Sequence, residues 1–505
     1  MRLFCTISRL LTFGPSWSLF ICPLPLHLQW VPTKCPTVSA KTIINHQKFI
    51  NSNSFAKHSQ HSVCSGAISL RVAYVLATVV ESAGGILLGY KVLETLRFKV
   101  IELDMYENSP NELLLGQVAI VAGAALWMLT SNFFRLPVSS THSHIGAIIG
   151  FSLVMRGTAG LHLDNVVKII VSWIVSPVLA GFISAFFYVL FDIAVLRRKD
   201  PIRSAFIAMP IFYFAVLSFI TFMVVFSGSK WIGFDKTPFW FALLLSVCVG
   251  LFSALVFQFA VRPFLLKWIK NSAERNANPN NEVANSEAMA TVGADQPNLS
   301  TTDEATDRNA VEHQQIEFNP PGILRRILPD RKRIDDRDTL QLFSAVQVFT
   351  GCFTGFSHGS KDIPNTIAPL ATLLFVYNNV HVPQPQETPL WILFYGSMGT
   401  CVGFWMLGHS VIRTVGHELT EINPFCGFCI ELGSAITVVI ASKLGIPVSM
   451  TLCIVGSVVA VGAVRGSVPV NWPLFRNVFI AWVVTFPVSG IFSAAFMFLL
   501  KIFFL

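Results

Sequence analysis

The stretch FRLPVSSTHSHIGAIIGFSL, Phe134–Leu153, decides how the whole chain is read, because it returns. Leu444–Gly462 reads LGIPVSMTLCIVGSVVAVG, so that Pro137-Val138-Ser139-Ser140-Thr141 is answered by Pro447-Val448-Ser449-Met450-Thr451. A glycine stands nine residues after each proline, Gly146 and Gly456. Further on, Trp173, Gly181 and Ser184 match Trp482, Gly490 and Ser493 at identical internal spacing and nearly the same offset. Upstream, an acidic residue sits in each apolar run, Glu81 in VVESAGG and Glu431 in CIELGSA. Two related halves in a membrane protein point to a transporter whose site lies between the repeats. The segment count leaves parallel and inverted repeats both open.

That the setting is a membrane follows from composition. The 505 residues are 53 % hydrophobic and 13 % charged, with mean hydropathy +0.60 and 44 Phe. A soluble domain carries about 25 % charged residues. A soluble enzyme and a nucleic-acid reader are thereby excluded, and no nucleotide or cofactor motif occurs. The net charge of +8 reflects cytoplasmic loops facing anionic lipid. Apolar runs at about 71–91, 116–135, 137–155, 165–195, 204–227 and 236–264, and again at about 341–358, 366–379, 390–408, 428–444, 446–464 and 475–504, approach the roughly 20 residues a spanning helix needs. The expected fold class is an all-α polytopic membrane protein of about 10–12 transmembrane segments, some re-entrant, in two related repeats. Pro177 sits in the overlong run 165–195, which reads as one kinked helix or as two half-helices.

The chain divides into 1–61, an atypical N-terminal segment; 62–264, a first membrane half; 265–340, a polar, disordered loop; and 341–505, a second membrane half. The loop is flanked by Lys267, Lys270, Arg325, Arg326, Arg331, Lys332 and Arg333. The short loop Arg197–Arg203 is also basic, and two spans separate them, so both lie on one side, the cytoplasm. The sequon Asn298-Leu299-Ser300 is then cytoplasmic and unused. Ten scattered cysteines do not form a secreted disulfide framework; Cys426 and Cys429 read as buried helix residues ahead of a metal site.

Three polar features carry chemistry. Glu81, Glu431 and Asp362 lie in apolar segments, where a carboxylate costs at least ~2.5 kcal/mol unless it is paired, protonated or bound to a cation. The PVSxT pairs place Ser and Thr just after a proline, where they cap a half-helix and leave N–H groups facing a cavity. Such an end suits a phosphate-like anion, and two of them make an oxyanion cage without any Arg; ordinary Ser/Thr helix packing is the competing reading. In Phe356-Ser357-His358-Gly359-Ser360-Lys361-Asp362-Ile363-Pro364-Asn365, Asp362 and Asn365 share a helix face and offer hard oxygen ligands to Na⁺. Pro364 there suggests a broken helix with freed carbonyls.

Together these stretches resemble the inorganic phosphate transporter family of sodium-phosphate symporters, over about 62–264 and 340–504. Arg71–Tyr90, Phe134–Leu153 and GFCIELGSAITVVIASKLGIPVS, Gly427–Ser449, are its most specific parts. The resemblance implies inverted repeats, a large cytoplasmic loop, often a homodimer in the lipid bilayer, and residence in the plasma membrane. It implies no enzyme activity and no cofactor, Na⁺ being a co-transported ion. It places phosphate on Ser139, Ser140, Thr141, Ser449, Thr451 and Asn365. Asp362, Glu81 and Glu431 are implied in sodium binding and ion coupling.

The chain also departs from the family. Its Gly-Ala-Asn-Asp-type signature reads His-Gly-Ser-Lys-Asp-Ile-Pro-Asn here, with Lys361 where Asn is usual, and Leu452 replaces a His in the second SxT motif. The first copy of the signature is gone, with Asn53-Ser54-Phe55 and Ser62–Gly66 a remnant, so 1–61 reads as a wrong gene model or as true divergence. Lys361 modifies the ion site in one of three ways: it pairs with Asp362 in place of sodium, contacts phosphate, or snorkels. Moving one negative charge inward costs about 2.3 kcal/mol per 100 mV, so uptake of a phosphate monoanion needs more than one cation. The expected function is Na⁺-driven phosphate symport; the alternative is a non-transporting phosphate sensor with degenerate ion sites.

Overall fold

The computed structural model describes residues 70–134, 136, 138–276, 328–329, 333, 335–379, 381–383, 388–415, 423–466 and 472–505. The N-terminal segment 1–61, the motif remnant, the sequon and Pro137 lie outside the described residues.

The chain folds as helices. α1 (Leu70–Leu88) runs into α2 (Tyr90–Phe98) with a 62° bend between them at Gly89. α3 (Pro110–Phe133) opens with Pro and Glu112 in its first turn, both suited to a helix N-terminus. α4 (Ser140–Arg156) begins on the Ser139 cap and ends at Gly157, whose φ of +62° a β-carbon would strain. α5 (Leu163–Phe191) passes Pro177 without a break and closes in a π-helical turn at Asp192–Leu196. α6 (Pro201–Val225), α7 (Phe239–Val256) and α8 (Arg262–Asn276) complete the first half.

The second half holds α9 (Arg337–Asn379), α10 (Leu390–Val415), α11 (Pro424–Lys443), α12 (Met450–Arg465) and α13 (Trp472–Phe504). Among the described residues six helices are long and apolar enough to cross a membrane, seven if the bent pair α1–α2 counts as one. α4 and α12, of 17 and 16 residues, are half-helices folded back against α3 and α11. Arg156 at the end of α4 bonds Glu112 at the start of α3, 2.5 Å apart; Arg465 at the end of α12 donates to Cys426 Sγ at the start of α11, at 3.8 Å. Each pair is thus an antiparallel hairpin whose two ends lie together. Large apolar side chains stay exposed on α6 and α7, among them Ile207, Ile211, Trp240 and Phe252, and on the turn that follows α7, Phe259, as lipid-facing surfaces do.

Close backbone approaches show how the repeats interlock. A β-carbon on Gly146 would meet the Phe486 carbonyl, and one on Gly456 would meet that of Pro177. One on Gly123 would fall on Ser493, and one on Gly433 on Ser184. The half-helix of each repeat therefore packs on the long helix of the other, α4 on α13 and α12 on α5. The same relation corrects the pairing of the two acidic residues. Gly123 and Gly433 each stand 14 residues before the motif proline, so α11 corresponds to α3 and Glu431 falls at Val121. Glu81, on α1, is not its counterpart.

Asp192, at the end of α5, pairs with Arg197 and with Arg333 just before α9, both at 2.6 Å. The basic loop and the exit of the polar linker thus share one face. α5 arrives at that face. From there α9 leaves, α10 returns, the α11–α12 hairpin dips in and back, and α13 departs. α5 and α13 are matched elements running in opposite directions, so the repeats are inverted. Burial works against the charge of Arg333, but the Asp192 and Asp335 carboxylates outweigh it and hold the guanidinium above its ordinary pKa.

One expectation about α9 is overturned. Pro364 does not break it: the helix runs unbroken for 43 residues through Pro364 and Pro369. Residues 357–373 are all buried, so surrounding helices keep α9 continuous where an isolated chain would break. The bend lies in the neighbouring chain segment, at Gly89, which packs against the Pro364 ring. The prolines still deprive the Ser360 and Asn365 carbonyls of their helical N–H partners.

Candidate functional site

The site forms where the starts of both half-helices meet the middle of α9. Ser139 and Ser449 are the N-caps of α4 and α12, with side chains accepting from His142 N at 3.5 Å and from Leu452 N at 3.4 Å. These cap bonds are long for N–H···O. The N–H groups of Ser140, Thr141, Met450 and Thr451 precede the first turn's carbonyls, so their helices supply them no acceptor. Thr141 Oγ1 donates to the Val448 carbonyl at 3.3 Å and joins the two helix starts directly. Trp173 donates to the Pro447 carbonyl at 3.1 Å, its ring 3.8 Å from that of His142. Ser139, Ser140, Thr141 and Ser449 are buried; Thr451 is half-buried.

From α9, Asn365 Nδ2 donates to Thr141 Oγ1 and to Asp362 Oδ1, each at 3.3 Å. Asp362 is fully buried and collects further partners on the same oxygen: Ser140 Oγ donates at 2.8 Å and Lys361 Nζ at 2.5 Å. On its other side stands His358, one turn back on α9, with Nε2 2.7 Å from Asp362 Oδ2 and Nδ1 2.9 Å from Glu81 Oε1. The result is a continuous row Glu81–His358–Asp362–Lys361 that meets the start of α4 at Ser140, next to the Thr141–Val448 contact between the two half-helix starts.

Seven of the residues expected from sequence therefore meet here: Ser140, Thr141, Asn365, Asp362, Lys361 and Glu81, with Ser449 as the facing cap. Glu431 does not. It lies on α11 against an earlier part of α9, where Thr350 Oγ1 donates at 2.6 Å and Gln347 Nε2 at 3.3 Å. Twelve residues of helix from Thr350 to Asp362 put the two carboxylates about 18 Å apart along the axis. Sequence reading missed His358, although its i,i+4 spacing to Asp362 is visible, and missed Thr350, Gln347 and Trp173. Among the described residues no group of three or more His, Cys, Asp or Glu is arranged to hold a metal, Cys426 and Cys429 included.

Residues 50–493 match the Phosphate transporter family. The chain belongs to that family. It is 32 % identical to sodium-dependent phosphate transporter 2 of Bos taurus, with 87 % of this chain and 93 % of that protein covered. It is 31 % identical to sodium-dependent phosphate transporter 2 of Homo sapiens over the same shares of each. A solved structure described as the sodium-dependent phosphate transporter superposes with a TM-score of 0.73 at 27 % identity, covering 92 % of this chain and 98 % of that one. Membership agrees with the helical architecture: this is a multi-pass membrane protein of a transporter family, with Ser139–Thr141 and Ser449–Thr451 at its pseudo-symmetric centre.

Proposed function

We propose that this protein carries inorganic phosphate across the plasma membrane by symport with Na⁺, holding the anion between Ser139–Thr141 and Ser449–Thr451. One observation carries the reading: two half-helix N-termini from inverted repeats converge on one buried point. Each contributes roughly half a positive charge and unpaired N–H donors, a combination that selects a tetrahedral oxyanion. The long cap bonds leave the Ser139 and Ser449 hydroxyls free to turn to phosphate oxygens. Asn365 presents an amide to the same point, and Asp362 can accept a hydrogen bond from a protonated phosphate oxygen. The names of the relatives support phosphate as cargo and Na⁺ as driver.

The test is uptake of radiolabelled phosphate into cells expressing the chain, in Na⁺ and with choline replacing it, alongside Asp362→Asn and the capping variants Ser139→Ala and Ser449→Ala. Sodium-dependent uptake lost in Asp362→Asn, with the capping variants raising KM more than they lower thermal stability, is the expected result. No uptake despite verified surface expression, with phosphate binding retained, would make this a phosphate sensor instead.

A further inference from the structure

We propose that the Lys361 ammonium is a tethered occupant of a cation site on Asp362, so that each phosphate is accompanied by one Na⁺ fewer than with a neutral residue at 361. This rests on the transport reading above and deepens it.

Geometry decides among the readings that sequence left open. Neighbouring residues on a helix point about 100° apart, so Lys361 and Asp362 do not face each other by default. The ammonium nevertheless bends back to 2.5 Å from Asp362 Oδ1, with Lys361 only 2 % exposed in the middle of a 43-residue helix. It does not snorkel to water. It has been drawn onto the carboxylate.

Counting charges gives the reason. Glu81 and Asp362 bring two negative charges into a fully enclosed row. His358 lies between them, 2.9 Å from one and 2.7 Å from the other. A neutral imidazole has a single N–H, so flanking contacts with two carboxylates require one added proton on the triad. The triad then carries one net negative charge, and Lys361 brings the row to zero. With a neutral residue at 361 the buried row would keep an uncompensated charge, which a low-dielectric interior penalises heavily until a cation arrives.

The donor set suits such a cation. Ser140 Oγ, Asp362 Oδ1 and Thr141 Oγ1 gather within bonding reach of Asn365 or Asp362. Asn365 turns its NH₂ toward them and leaves its own Oδ1 buried without a hydrogen-bond partner. That orientation fits a site whose positive charge is already supplied. With the ammonium gone and the amide turned over, the same residues present a ring of hard oxygens of the kind Na⁺ takes. Lys361 Nζ and Ser140 Oγ share Asp362 Oδ1, so the ammonium stands beside the start of α4. A fixed ammonium therefore helps to hold the anion there, yet, unlike Na⁺, it is not released on the far side.

The experiment compares wild type, Lys361→Asn and Lys361→Gln, purified and reconstituted in liposomes of neutral and anionic phospholipid. The ratio of ²²Na⁺ to ³²P-phosphate carried is measured. So is the Na⁺-induced thermal shift of each protein in detergent against choline. The expected ratio is higher by one in the variants. In the subsaturating range, a tenfold drop in Na⁺ slows them by about tenfold more than wild type, because one more ion binds. The variants also gain Na⁺-specific thermal shift over that of wild type. Equal ratios in actively transporting wild type and variants would overturn the proposal. If none of the proteins moves phosphate, the transport reading fails. The thermal shift then decides the cation site alone: its gain in a folded variant supports the tethered cation, and its absence refutes it.

Discussion

Replacing Gly359 with alanine sets two well-known effects against each other. Helix propensity alone favours alanine over glycine by about 1 kcal/mol, so an isolated α9 would be more stable. The tertiary structure argues the reverse. A β-carbon at 359 would fall on the backbone carbonyl of Glu81, and reciprocally one at Gly84 would fall on the carbonyl of Phe356. Backbone cannot rotate away as a side chain can, so α1 and α9 must part by about 1 Å or more. Overpacking of this kind costs about 1–3 kcal/mol. The same crossing holds His358 Nδ1 at 2.9 Å from Glu81, and parting the helices takes that contact out of reach. Losing a hydrogen bond to a charged group costs about 1.5–3 kcal/mol. After the propensity gain is subtracted, Gly359→Ala is expected to be less stable by about 1.5–5 kcal/mol. Thermal unfolding of the detergent-purified protein reads this directly. Gly84→Ala should behave alike, and the double variant should cost less than the two losses added, because helices already parted accommodate the second methyl. A Gly359→Ala protein as stable as wild type would refute the close crossing and, with it, the placement of Glu81 beside His358.

Three further outcomes follow from particular contacts. Thr350→Val removes the 2.6 Å bond to the buried Glu431 carboxylate and should cost about 1.5–3 kcal/mol in unfolding measurements, while Thr350→Ser should restore most of it. Arg197→Ala and Arg333→Ala each leave Asp192 one guanidinium and should destabilise mildly; the double variant strands a fully buried carboxylate, and its loss of about 3–5 kcal/mol should exceed the two singles combined. Trp173→Phe keeps a ring beside His142 but loses the bond to the Pro447 carbonyl, so phosphate KM should rise with little change in folding, a shift worth about 0.5–1.5 kcal/mol.

Much of the site is legible in the amino-acid sequence. The capped starts at Ser139 and Ser449 can be read there because a proline followed by Ser and Thr is a local signal of helix initiation, and both caps form as written. That Asp362 and Asn365 act together is legible because i,i+3 spacing on one helix needs no tertiary information. His358 escapes such a reading because its meaning depends on Glu81, which lies 277 residues away in sequence and reaches it only through the α1–α9 crossing. Pro364 misleads, since the tendency of proline to break a helix is a property of an isolated segment. Here the packing around α9 overrides it and the bend appears at Gly89 instead. The equation of Glu81 with Glu431 misleads for a related reason: a short acidic match in apolar surroundings carries less register information than the glycines, whose backbone contacts must be kept.

Composition and hydropathy by themselves determined a helical membrane protein, because apolar runs of spanning length leave the backbone no partner in lipid except itself. The returning PVSxT motif determined two related halves, each with a capped half-helix start, because capping is a local property. Only the tertiary structure decided that the halves run in opposite directions, that each half-helix packs on the long helix of the other repeat, and that Lys361 turns onto Asp362 rather than outward. Those outcomes depend on which surfaces approach within bonding distance, and such distances are set by glycine-lined crossings between residues hundreds of positions apart.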